Sequence, residues 1–229
     1  MKVAVITPYY NEPLDVIVRC KNSVDNQIYK NIKHIFVADG KPNSWIDTWT
    51  EVEHIVLPDS HRDAGATPRA LGAISAFSRN FDAVTFLDAD NTCYDYHIEA
   101  MVELLKKSKT DIVTTTREIC TITGDLLYID TWESNGYDFC DTNCMLLTRN
   151  VLPLLTSWIT THDKALWSDR IFWNTILDSR ISKSHYEIPT VNYYSKWAAH
   201  YVNAGKTPPA GTVWIDQDAA GNLIHRIQD

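Results

Sequence analysis

No apolar stretch in this 229-residue sequence approaches the roughly twenty residues needed to cross a bilayer, so any membrane contact expected of it is peripheral. No secretory apolar segment opens the chain. Its five cysteines are scattered and odd in number, which points to a reducing, cytoplasmic setting rather than a disulfide scaffold. Cys140 and Cys144 have no second pair at zinc-finger spacing and read as buried thiols. A long basic run is missing as well. With 21 Lys and Arg against 29 Asp and Glu the formal charge is -8, which argues against a phosphate-backbone binder, so nucleic acid is not an expected partner. Internal repeats and low-complexity segments are absent too, which excludes a solenoid.

What is present suffices for a core: at 45% hydrophobic and 11% aromatic content, the chain can bury one large domain with a small appendage. Lys2 to Ile6 reads as a buried strand, broken by Pro8-Tyr9-Tyr10-Asn11-Glu12-Pro13 before a helical pattern at Leu14, Ile17, Val18 and Val24. Strands are expected at His34 to Ala38 and at His54 to Leu57. Thr67 as N-cap and Pro68 at the first helical position predict a helix with Leu71, Ile74 and Phe77 on one face. A strand over Ala83 to Leu87 follows, then a helix capped by Asp95 and a strand from Asp111 to Thr115. This order predicts an α/β fold with a mostly parallel central sheet flanked by helices. Beyond residue 117, pieces around Gly124-Asp125 and at Cys144 to Thr148 predict an added antiparallel hairpin. Helices are expected at Val151 to Trp158 and Trp167 to Leu177, and Pro208-Pro209 sets off a small C-terminal hairpin, Val213 to Ile215 with Leu223 to Ile227.

The sharpest feature is Asp88 and Asp90 in Thr85-Phe86-Leu87-Asp88-Ala89-Asp90-Asn91, at the carboxyl end of a buried-looking strand, where open α/β sheets place ligands. Residues i and i+2 of an extended chain face the same way, so two like charges there call for a cation, and hard oxygen ligands describe Mg²⁺ or Mn²⁺. Solvated turn or capping aspartates are the plainer alternative. Asp39 also follows a strand and can accept a base N–H or ribose hydroxyl, although Asp39-Gly40 is equally turn chemistry. Arg69, in the first turn of its helix, sits where the macrodipole disfavours a cation, and a bound diphosphate would offset that; pairing with Asp63 or solvent is the other reading. Asp169 in Trp167-Ser168-Asp169-Arg170-Ile171-Phe172-Trp173 is either a first-turn acid behind a Ser168 cap or a general base in a cleft edged by Trp167 and Trp173. His200 is a candidate third metal ligand, against the usual structural role of a lone histidine. Aromatics near Trp132 and residues 167–173 suit a carbohydrate or glycolipid acceptor, or the core.

Taken together, Thr7-Pro8-Tyr9-Tyr10-Asn11-Glu12, Asp39-Gly40, Arg69 with Gly72, Asp88-Ala89-Asp90 and Ser168-Asp169 resemble family 2 glycosyltransferases of the A-type nucleotide-sugar fold, over about residues 2–180. The resemblance implies that Pro8, Tyr10 and Glu12 lie along the nucleotide, with Asp39 on a uridine, Arg69 by the diphosphate, Asp88 toward the ribose and Asp90 on the metal. Two departures stand out: Ser168-Asp169 replaces the family's Glu-Asp pair, and Arg62-Asp63-Ala64-Gly65 replaces its Asn-x-Gly loop. The implied division is a nucleotide-binding half over residues 1–116, an acceptor-side half over 117–204, and a hairpin appendage over 205–229. The implied activity is metal-dependent inverting transfer from a nucleoside-diphosphate sugar, UDP-sugar favoured, to a glycan or glycolipid hydroxyl in polysaccharide biosynthesis, in the cytoplasm, with the inner membrane surface as the alternative location. Two rivals remain on this reading: a binding module without catalysis, and a haloacid-dehalogenase-type phosphatase with Asp88 as nucleophile. The latter motif normally falls on a first strand, whereas several strands precede it here. Sugar nucleotidylyltransferases are disfavoured, because no Gly-rich, Arg- and Lys-bearing turn follows the first strand.

Overall fold

The first strand, β1 (Val3–Tyr9), is buried along its whole length, as its near-continuous apolar run requires of a strand covered on both faces. A computed structural model describes residues 1–159, 167–217 and 223–227. In it β1 lies between β2 (Ile32–Ala38) and β4 (Ala83–Phe86), parallel to both, and β3 (Glu53–Val56) extends the parallel set beyond β2. Helices α1 (Leu14–Asp25) and α2 (Ala66–Ser78) supply apolar faces that cover it, while α3 (His97–Ser108) packs on strands that come later in the chain. This half of the α/β sheet is as the sequence predicts, except that β1 continues through Pro8 and Tyr9, where a break is expected, by pairing with Val37 and Ala38 of β2.

Past β4 the sheet becomes mixed. The order is β3-β2-β1-β4-β8-β6-β9-β5, where β5 is Thr92–Cys93, β6 Ile112–Cys120, β8 Met145–Thr148 and β9 Lys183–Tyr194. Strand β8 runs antiparallel to both β4 and β6, while β6 and β9 are parallel. The expected hairpin is formed by β6 turning through Thr121–Asp125 into β7 (Leu126–Asp130), with Gly124 at φ 101°. The terminal hairpin pairs β10 (Val213–Gln217) with β11 (Leu223–Ile227) as a separate two-stranded sheet; its connecting turn lies outside the described residues. Val213 N–H donates to the Lys196 carbonyl at 2.7 Å, which fixes that hairpin to the body.

Strand β9 was not expected from sequence. Its burial is mixed, and the ladder with β6 shifts register around Thr115 and Thr116, opposite the segment that holds Pro189, so no clean alternation marks it. Helix ends also differ from the local signals. Gly65, at φ 81°, precedes α2, and the buried Asp63 carboxylate accepts the Thr67 N–H at 2.9 Å, so Thr67 is inside the helix rather than its cap. Asp95 does not cap α3; Gln27 Oε1 takes the Ile98 N–H at 3.0 Å from across the fold. Pro153 confines the expected 151–158 helix to a 3-10 segment, Arg149–Leu154, followed by the single turn α4 (Thr156–Ile159). Ser168 opens α5 (Ser168–Leu177) without capping it, and a short α6 (Ala198–Asn203) follows β9.

Two close contacts set the core. Trp158 stacks on Phe172 at 3.8 Å between ring centroids and meets Phe86 edge-on at 5.1 Å, which joins α4 and α5 to the sheet. Gly72 lets α2 lie directly on β1 and β2: a Cβ there would stand 2.6 Å from Ile6 Cγ2 and 3.0 Å from Val37 Cγ2. Gly72→Val is therefore expected to cost about 1–3 kcal/mol by overpacking, read as a lower urea midpoint with an unchanged slope.

Candidate active site

A cleft of about 550 Å³ opens at the carboxyl ends of β1, β2 and β4. It is lined by Pro8, Tyr10, Glu12, Asp39, Arg69, Asp88 and Asp90, so residues scattered over the first ninety positions meet at one rim. The opposite wall comes from much later in the chain: Tyr193, Tyr194, Lys196, Trp197 and Val213.

The two aspartates do not share a strand face. Strand β4 ends at Phe86, and Asn91 N–H returns to the Asp88 carbonyl at 2.9 Å, closing a turn that separates the side chains. Asp88 points to Arg69, whose guanidinium pairs with Oδ1, and to Asn143, whose amide donates to Oδ2 at 2.9 Å. Asn143 Oδ1 in turn accepts the Asp88 N–H at 2.6 Å. Register explains this partner. Thr85 faces Leu146 in the antiparallel β4–β8 pair, and continuing three residues sets Asp88 opposite Asn143. Asp90 faces the other way, where Lys196 Nζ lies 2.8 Å from Oδ2, while Arg19 holds the Asp90 carbonyl at 2.7 Å.

Arg69 is buried, and burial disfavours its charge, yet Asp88 outweighs that and holds the guanidinium firmly protonated. It also donates to the Ala64 carbonyl at 2.9 Å, on a loop where Arg62 and Ala64 adopt positive φ of 54° and 55°. Asp88, not Asp63 or solvent, thus supplies its counter-charge. Nε of Arg69 is buried without a partner. Asp39 accepts from Ser60 Oγ and from the backbone N–H groups of His61 and Arg62, with His61 Nδ1 at 2.8 Å. Burial would raise its pKa, but these hydrogen bonds prevail and hold it below the usual range. Gly40 at φ 75° permits the approach, since a Cβ there would be 2.4 Å from Ser60 N. Glu12 folds back on its own turn, accepting the N–H groups of Tyr10 at 2.7 Å and Asn11 at 3.1 Å.

Behind the cleft lies a buried charge cluster. Arg117 Nε donates to Asp130 at 2.9 Å, its Nη1 pairs with Asp141, and its guanidinium stacks 4.4 Å from the Tyr193 ring centroid. Asn143 couples this cluster to the rim, since its amide also donates to Asp141 Oδ1 at 2.6 Å. Asp169, partly buried at the start of α5, is within electrostatic reach of Asp141, Arg170 and Arg69. Burial first, and Asp141 second, raise its pKa.

The glycosyl transferase family 2 model matches residues 4–145, more than half the chain. The chain belongs to that family. Among curated proteins it is similar to glycosyltransferase GlyA of Streptococcus pneumoniae serotype 4, 27% identical over 114 residues that make up 48% of this chain and 16% of GlyA. Its fold is similar to that of S. aureus TarS residues 1–349 in complex with UDP (TM-score 0.64, 11% identity, covering 89% of this chain and 63% of that one). TarS 1–349 in complex with UDP-GlcNAc matches at TM-score 0.62 and 12% identity, covering 92% and 62%. The chain thus spans less than two thirds of each of these relatives.

Within this family 2 fold three sequence expectations need correction. Trp173 is fully buried in the core and does not edge the cleft, its helix face being turned inward with Phe172. Trp132 and Trp167 are exposed, at 84% and 43%. His200 is not among the cleft-lining residues; its Nδ1 is bound to Ser195 Oγ at 2.6 Å, its ring packs edge-on to Tyr128 and Tyr193, and burial lowers its pKa to about 4. Ser168 is buried and caps nothing. Conversely, Asn143, Lys196 and the Arg117 cluster were missed. The only local signal for Asn143 was a polar Asp141-Thr142-Asn143 run between Cys140 and Cys144, all five residues being buried.

The Asp169 environment has a pH consequence. An acid whose folded pKa lies above its unfolded 3.8 costs the folded state stability as pH rises from 3.8 through the raised value, because the unfolded chain ionises first. Asp169→Asn removes that loss. The variant is expected to be more stable than wild type at pH 7, with the gap closing below pH 3.8, in urea denaturation across pH.

Proposed function

We propose that this family 2 domain transfers a sugar from a nucleoside-diphosphate donor, a UDP-sugar by preference, to a hydroxyl of a glycan or glycolipid, with inversion at the anomeric carbon. The observation that carries the reading is the convergence of Asp39, Arg69, Asp88 and Asp90 on one cleft of a chain in this family. Asp39 lies at the end fit for a base or ribose; its carboxylate has room for about four hydrogen bonds, so a bound nucleobase exchanges for one of those from the Ser60–Arg62 loop. Arg69, with its unpartnered Nε, offers charge to a diphosphate at the start of α2.

Asp169 is the base in this reading. A raised pKa makes its carboxylate a stronger base toward a hydroxyl proton, and its neighbours Arg170 and Arg69 oppose the rise. The proton leaves the acceptor hydroxyl as its oxygen attacks the anomeric carbon, and the nucleoside diphosphate departs on the opposite face. Exposed Trp132 and Trp167 offer ring faces to an acceptor sugar, and Arg170 bridges the two sides by pairing with Glu133 while lying 5.9 Å from the Trp167 ring centroid. Five buried free thiols and a nucleotide-sugar donor suit the cytoplasm; among the described residues no helix is long and apolar enough to cross a membrane.

For Mn²⁺ or Mg²⁺ the donor set fits a site completed by substrate rather than a protein cage. Among the described residues no three His, Cys, Asp or Glu are gathered as ligands, and Asp88 already serves Arg69 and Asn143. Among the described residues one oxygen of Asp90 has no hydrogen-bond partner, and hard divalent ions are held by one or two carboxylates plus phosphates. Asp90, seconded by Asp88, would hold the ion, which when bound supplies Lewis-acid stabilisation of the leaving diphosphate.

A thermal-shift series of nucleoside diphosphates with MnCl₂ tests the donor, UDP being expected to stabilise most; absence of any shift across the series overturns the reading. Asp169→Asn is expected to keep UDP affinity and lose about 10²- to 10⁴-fold in transfer rate. Asp90→Ala is expected to weaken UDP binding in MnCl₂ but not in EDTA, measured by calorimetry.

A further inference from the structure

Lys196 holds a position in the cleft that the donor reading leaves unexplained. Its ammonium lies 2.8 Å from Asp90 Oδ2, on the carboxylate best suited to a divalent ion. The pair is open to solvent, with side-chain exposures of 52% for Lys196 and 29% for Asp90. Neither backbone depends on it. Arg19 holds the Asp90 carbonyl, Asn91 Oδ1 accepts the Tyr194 N–H at 2.9 Å, and Val213 N–H holds the Lys196 carbonyl. The Lys196 side chain can therefore change partner without moving the fold.

We propose that Lys196 is the resident cation of Asp90 in the unliganded protein and that donor binding exchanges partners. The divalent ion that arrives with a nucleoside diphosphate takes Asp90, and the displaced ammonium pairs with the diphosphate. This rests on the donor reading above. Its physical basis is charge economy: a divalent ion arriving at Asp90 repels the ammonium already paired there, whereas a diphosphate brings the anionic oxygens that a released lysine needs. The consequence is that Lys196 suppresses metal binding in the absence of donor and supports donor binding in its presence, so the protein takes up metal and nucleotide together.

The test uses Lys196→Met, which keeps the stem and removes the charge, beside Lys196→Arg and Asp90→Asn. Titration of MnCl₂ alone, read by the electron paramagnetic resonance of free Mn²⁺, is expected to show Lys196→Met binding about two- to fivefold more tightly than wild type. Asp90→Asn should lose that binding, and Lys196→Arg should resemble wild type. Calorimetry with UDP in saturating MnCl₂ is expected to show the opposite sign, Lys196→Met binding about tenfold more weakly. A general loss of structure moves both affinities down. Unchanged Mn²⁺ affinity, or effects of the same sign in the two titrations, overturns the proposal while wild type still binds UDP. Failure of wild type to bind UDP or inorganic pyrophosphate overturns the donor reading and the hand-over with it.

Discussion

The ion pair between Arg69 and Asp88 is the contact on which this cleft is built. It ties the first turn of α2 to the end of β4, and each partner needs the other: the guanidinium sits at the positive end of a helix, and the carboxylate lies near further acids. Left alone, either charge would be expensive to bury. The pair also orders the loop before α2, because Arg69 spans to the Ala64 carbonyl and so holds a turn with two non-glycine residues at positive φ.

The same logic recurs one layer deeper. Arg117 serves Asp130 and Asp141, and Asn143 links Asp141 to Asp88 through both ends of its amide. A neutral amide between two carboxylates keeps them apart while satisfying both. Such a network carries a desolvation penalty that its Coulombic attraction roughly offsets, so its contribution lies in fixing positions rather than in net stability. It connects the β6–β7 hairpin to the rim that carries Asp88. Asp169 joins it electrostatically through Asp141, which places the proposed base under the same field as the proposed diphosphate site.

The cleft has two walls of different origin. One comes from the segment matched by the family, residues 4–145, and carries the acids and Arg69. The other, Tyr193 to Val213, lies outside that match, as does Asp169. The first wall is rigid by construction, formed by turns at the ends of buried parallel strands. The second is a strap pinned by backbone hydrogen bonds at Asn91 and Val213, with a half-exposed lysine between them.

Much of this was legible in the chain itself. The apolar runs at Lys2 to Ile6, His34 to Ala38 and Ala83 to Leu87 marked the parallel half of the sheet, because strands buried on both faces have no polar alternation to confuse them. The punctuation at their ends carried Pro8, Asp39 and Asp88 to one rim, since parallel neighbours end together. Other features are decided only by contacts between distant residues. Asn143 meets Asp88 through an antiparallel register, Gln27 caps α3 from the loop that follows α1, and β9 is a strand because β6 and β5 pair with it. Trp173 is core and His200 is turned to Ser195 for the same reason: which face of an element looks into the cleft depends on its neighbours. Local pattern determines what a segment can become and where its charges fall along the chain; tertiary packing alone decides which charges meet, because pairing energy exists only once the partners have been brought within a few ångströms.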